Sequence, residues 1–163
     1  MTDSFLVRFE RALRSFLEAA VALLLAAIAG ICFLEVVLRY RFETSLGWYD
    51  EFVGYLLVWL TFLGAVLAQL QLQHIGIENL LESVPSRLGL WLRLLGHAVV
   101  VAVQLVLLIH GADLVTELLA DQDRAISLPV PMGAIYLILP LSAAMMLIVE
   151  TIHVLRLFGK TTS

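Results

Sequence analysis

Three stretches of this chain run 19 residues or longer without a single Asp, Glu, Lys or Arg: 52–73, 94–112 and 125–149. A helix rises about 1.5 Å per residue, so roughly 20 such residues cross the hydrocarbon core of a bilayer. Of the 163 residues, 61% are hydrophobic and only 15% charged, with a mean hydropathy of +0.98. A soluble domain of this size has too little interior to hide that surface. A fourth crossing fits 16–38 if Glu18 and Glu35 sit near its ends, and Pro129 and Pro131 delay the last helical start to about Met132. The expected fold is an all-α integral membrane protein, one membrane domain over 1–163, with spans near 16–38, 51–72, 91–114 and 132–156.

Arg8, Arg11 and Arg14, with Ala27-Ile28-Ala29 before Gly30, also fit the layout of a signal peptide. The expectation is that this segment stays as a helix. Residues 4–17 line up Phe5, Leu6, Phe9, Leu13, Phe16 and Leu17 on one side, which predicts an amphipathic segment on the inner membrane surface. Between spans 2 and 3, Ile77, Leu80, Leu81 and Val84 follow i, i+3, i+4, i+7 spacing. That pattern predicts a short interfacial helix closed by Pro85, whose acidic face suits another protein better than anionic lipid.

Lys and Arg placement sets the orientation. With the N-terminus inside, seven lie on cytoplasmic segments (Arg8, Arg11, Arg14, Arg87, Arg93, Arg156, Lys160) and three outside (Arg39, Arg41, Arg124). Both termini are therefore expected in the cytoplasm. The net charge of −4 and the lack of a basic patch exclude nucleic acid as a partner. The single cysteine, Cys32, excludes an intrachain disulfide or a cysteine-rich metal site.

Arg93, His97, Gln104 and Gly111 fall within roughly 40° of arc on a helix and should face a partner helix. Ala26 with Gly30, and Gly64 with Ala68, are small-residue pairs that permit close helix approach. Pro140 should bend the last span and free a carbonyl one turn earlier. The span centres contain no carboxylate, so no proton relay is expected, nor any catalytic, cofactor or metal site. His97 and Gln104 are expected to bond between helices. The competing class is a four-helix electron-transfer protein holding a b-type haem between His97 and His153.

VLRYRFETSLGWYDEF, residues 37–52, joins the first two spans. Glu35 and Arg39 have the favourable i, i+4 order, and Asp50 and Glu51 open the second span where the helix dipole welcomes acid. Arg39 paired with Glu51, or with Asp50 in its place, would relieve two charges at the membrane edge. On that expectation Arg39→Ala destabilises the protein by roughly 1 to 3 kcal/mol. Asp121, Asp123 and Arg124 fall in the second outer loop, ahead of Pro129-Val130-Pro131, and are expected to help dock a soluble partner by charge complementarity.

VVLRY, W-x-D-E at 48–51, YLLVWLTFLGA at 55–65, QHIGI, LPVPMG and Y-x-x-x-P at 136–140 occur in that order. Together they resemble the small membrane subunit of tripartite ATP-independent periplasmic (TRAP) transporters, over about Val36 to Pro140. The resemblance implies a three-part, sodium-driven uptake system for an organic anion in the bacterial inner membrane. A large membrane subunit would move the anion and a periplasmic binding protein would deliver it. The small subunit would be non-catalytic, in contact with lipid and with the large subunit. Arg39, Trp48, Glu51, Tyr55, Trp59, Gly64 and His74 occupy motif positions. Partner packing is expected at Trp48, Tyr55, Trp59 and Gly64, and at Ile77, Leu80, Leu81 and Val84. The chain departs from the pattern at Gly54, where the family often has arginine or another larger residue.

Overall fold

The computed structural model describes residues 2–72 and 86–161. Its helices are α1 (Thr2–Phe42), α2 (Tyr49–Leu72), α3 (Ser86–Ala120), the short α4 (Met132–Tyr136) and α5 (Ile138–Thr161). Four helices are long and apolar enough to cross a membrane: Arg8–Phe42, Tyr49–Gln71, Leu94–Ala120 and Met132–Ile152. The protein is an all-α, multi-pass membrane protein. The termini of α1 and α2 follow the helix dipole, with Arg39 and Arg41 in the last turn of one and Asp50 and Glu51 in the first turn of the other.

One expectation about the flanking segments changes. The amphipathic stretch at 4–17 is no separate element, because α1 runs unbroken for 41 residues. At about 1.5 Å per residue it is roughly 60 Å long, twice the hydrocarbon thickness. Leu17 is fully buried and Leu13 packs beside it, so the end of this stretch belongs to the helix-packing core. The interfacial helix expected at Ile77, Leu80, Leu81 and Val84 lies outside the described residues, as do the side chains of Arg93 and His153.

The main contacts join α1 to α2, α2 to α5 and α5 to α3, while α4 packs on α3. The long helices thus form a row, α1–α2–α5–α3, more than a closed square bundle. Burial follows the row only at its extremes: 33% of the last span is buried within the chain and 6% of the first, while inner α2 and outer α3 both stand at 17%. The core joins Leu17, Leu63, Val66, Leu70, Ile138 and Val149. Lipid is as apolar as these side chains, so tight packing and interhelical hydrogen bonds hold the row together.

The close approaches are made by glycines other than the expected ones. Among the described residues, a Cβ at Gly30 or Gly64 would meet nothing within 4 Å, whereas one at Gly111 would lie 3.2 Å from Leu139 Cβ and 3.3 Å from Pro140 Cδ. At Gly133 it would lie 2.6 Å from Leu119 Cγ. Gly133→Ala should therefore lower stability by about 1 to 3 kcal/mol through overpacking, read from thermal unfolding in detergent.

Pro140 acts earlier than a simple kink at its own position. The helix breaks at Leu137, between α4 and α5. The Ile135 carbonyl, loosened by that break, accepts a hydrogen bond from Trp59 Nε1 at 2.9 Å. An indole from α2 thus satisfies a backbone acceptor at the break, next to Tyr136, whose carbonyl is the one that Pro140 deprives of its helical donor.

At the end of α3, Asp123 N–H donates to the Leu118 carbonyl (3.1 Å) and Gln122 N–H to Leu119 (3.4 Å). This is a Schellman cap with Gln122, φ 56°, at the left-handed position where glycine is favoured. Gln122→Gly should stabilise the protein by about 1 kcal/mol, seen as a raised melting temperature.

Candidate functional site

Apart from the Trp59 bond, the side-chain hydrogen bonds that join different helices or loops gather in two places, one at the end carrying the α1–α2 turn and one deeper between α2, α3 and α5. At the turn end, Glu51 in the first turn of α2 reaches across to the loop after α3. Its carboxylate accepts hydrogen bonds from the backbone N–H of Ile126 (2.8 Å) and Ser127 (2.6 Å), and from the Tyr55 hydroxyl. Two consecutive backbone donors make a small anion-binding concavity, and Glu51 fills it. The loop also closes on itself, with Ala125 N–H to Val130 O (3.0 Å) and Met132 N–H to Asp123 O (2.9 Å).

A second carboxylate fastens the α1–α2 turn. Glu35 is 6% exposed and accepts from Ser45 Oγ (2.7 Å) and Leu46 N–H (3.0 Å). Trp48 stands edge-to-face against Phe52, with centroids 5.5 Å apart.

The expected Arg39–Glu51 ion pair does not form. Arg39 is exposed and exerts only a through-space attraction on Glu35, one helical turn away. Glu51 points instead at backbone donors that another loop brings to it, and their fixed geometry satisfies both carboxylate oxygens. Asp50, the expected substitute, is exposed. Tyr55 and Trp59, expected to pack on a partner, spend their polar atoms inside the chain. Asp121, Asp123 and Arg124 are exposed on the loop that Glu51 holds.

The deeper cluster overturns the expectation of a core without carboxylates. Glu150 on α5 is 4% exposed. One of its oxygens accepts from Gln69 Nε2 of α2 at 2.8 Å, and the other contacts His97 Nδ1 of α3. Gln104 Nε2 in turn donates to Gln69 Oε1 at 3.3 Å. Three helices are thus tied through one ladder of side chains. The line of His97, Gln104 and Gly111 does face neighbouring helices, as its spacing predicts. Gln104 Oε1 is buried and has no hydrogen-bond partner among the described residues. Glu150 fell outside the charge-free run that ends at Val149, yet inside the expected span limits 132–156. That overlap was the available signal.

Chemically, both clusters cross-link the chain to itself. Among the described residues no group of three or more His, Cys, Asp or Glu side chains could hold a metal ion. The approach of His97 to Glu150 gives this histidine a structural partner, so the haem reading has no observation behind it.

Comparison with known proteins supplies the class. The family described as tripartite ATP-independent periplasmic transporters, DctQ component, matches residues 28–160. The chain belongs to that family. It is also 39% identical over 79 residues to a TRAP transporter small permease protein of Haemophilus influenzae, covering 46% of this chain and 49% of the relative. Over 109 residues it is 28% identical to the C4-dicarboxylate TRAP transporter small permease protein DctQ of Vibrio cholerae, covering 67% of this chain and 47% of that one. The chain spans about half the length of these curated relatives.

Proposed function

We propose that this chain is the non-catalytic small membrane subunit of a sodium-coupled TRAP transporter that imports an organic anion, a carboxylate or sugar acid. It sits in the bacterial inner membrane with both termini in the cytoplasm, which places the Glu51 clamp on the periplasmic side. Its stable partner is a large membrane subunit that carries substrate and sodium. Its transient partner is a periplasmic binding protein, met by Asp121, Asp123 and Arg124 on the clamped loop.

The observation that carries this reading is the family match over 28–160. The use of carboxylate side chains supports it. Glu51, Glu35 and Glu150 accept hydrogen bonds from the chain's own donors, an arrangement suited to fixing helices in place. The partner surface includes the Gly64 side of α2, where a Cβ meets nothing within 4 Å.

Co-expression with the large subunit tests the reading. The two should purify together. Gly64→Leu should leave the chain's own melting temperature unchanged and lower recovery of the pair at least ten-fold, because the added volume meets only the partner. Equal recovery would remove this face from the interface. Failure of the wild-type subunits to associate would contradict the assignment itself.

A further inference from the structure

α3 presents an outward line of residues that the rest of the chain leaves uncovered. Val99, Val103 and Val106 are 55%, 62% and 57% exposed, and His110, Asp113 and Glu117 continue the line, all exposed. At 100° per residue these six share about 80° of arc, on the side away from His97, Gln104 and Gly111. All six lie within the candidate span Leu94–Ala120. Measured from the Ala120 end at about 1.5 Å per residue, Glu117 lies about 5 Å down, Asp113 about 10 Å and His110 about 15 Å.

The chemistry of this line is one-sided. His110 Nδ1 lies 3.0 Å from the Val106 carbonyl. A carbonyl only accepts, so Nδ1 carries the proton, and in the neutral ring Nε2 is left as an outward acceptor. The carboxylate oxygens of Asp113 and Glu117 are acceptors, and no hydrogen bond joins either side chain to another described residue. The face therefore shows three acceptors in a row along roughly 10 Å of helix.

An acyl chain offers no donor at the depth of His110, and an ionisable residue left against lipid is costly. A second copy related by two-fold symmetry would set acceptors against acceptors and carboxylates against carboxylates. What fits is a different helix carrying donors. We infer that the α3 face of Val103, Val106, His110, Asp113 and Glu117 docks a membrane helix of the large subunit that presents Lys, Arg or other hydrogen-donating side chains. This rests on the proposed role as a small subunit and extends the partner surface beyond α2.

The test is photo-crosslinking in membranes holding both subunits, with a benzophenone side chain at Val106 and, for comparison, at the still more exposed Phe33 of α1. The Val106 probe should form an adduct with the large subunit at least ten-fold more efficiently than the Phe33 probe. Combined Asp113→Lys and Glu117→Lys should lower that adduct at least ten-fold, with the isolated chain's melting temperature unchanged. Adducts only with lipid or with a second copy would overturn the inference, as would an adduct insensitive to charge reversal. If the subunits co-purify and Val106 stays unlinked, this face is wrong and the small-subunit reading stands. If they do not co-purify, both fail.

Discussion

Glu150→Leu is expected to lower the stability of the folded chain by about 2 to 4 kcal/mol, the range for breaking a buried polar contact from one side. The substitution removes the acceptor of Gln69 Nε2 and the contact of His97, and strands both polar groups between helices. Glu150→Gln should lose less, because an amide oxygen still accepts from Gln69. The more telling variant makes the whole ladder apolar, with Gln69, His97, Gln104 and Glu150 all replaced by leucine. Replacing a buried polar set together is often close to neutral, so this variant should recover most of the loss. Thermal unfolding in detergent reads each of these. Additive losses across the four sites would show that the ladder does not act as a unit.

The second large effect is at the clamp. Glu51→Ala removes the acceptor of three hydrogen bonds and should cost about 2 to 4 kcal/mol, less than three full charged bonds because water can reach the exposed Ile126 and Ser127 N–H groups left behind. The readout that isolates the clamp is amide hydrogen exchange. Ile126 and Ser127 should be slow to exchange in the wild type and fast in the variant. Arg39→Ala, at an exposed position with no ion pair, should change stability by less than about 0.5 kcal/mol. A large loss at Arg39 with unchanged exchange at 126 and 127 would restore the ion pair expected from the sequence.

Those two sites mark where sequence reasoning succeeds and where it stops. The four spans are legible because hydrocarbon sets one length and tolerates little charge, so each apolar run carries its own signal. The line through His97, Gln104 and Gly111 is legible for the same local reason, helical periodicity. The partner of Glu51 is not legible. It depends on a loop 75 residues away returning with two backbone N–H groups aimed at the carboxylate, and backbone donors leave no mark in sequence. A charge rule points to Arg39 because a sequence displays side chains and not the aim of backbone N–H groups.

The ladder shows a related limit. Gln69 sits on α2, Gln104 on α3 and Glu150 on α5, and their meeting needs the order α1–α2–α5–α3. Chain order does not reveal spatial order, so Glu150 read as a residue at the end of an uncharged run. The glycines follow the same logic. Gly111 and Gly133 are essential to close approach because of Leu139, Pro140 and Leu119, all distant in sequence from at least one of them. Gly64 matches the small-residue pattern, yet a Cβ there would meet nothing within 4 Å among the described residues.

Family membership fixes the class, and whether this subunit is a required scaffold is decided by transport. The direct measurement is sodium-driven uptake of an organic anion by proteoliposomes containing the large subunit and supplied with binding protein, with and without this chain. The account predicts uptake only when the small subunit is present, and none by the small subunit alone. Full uptake in its absence would contradict the claim.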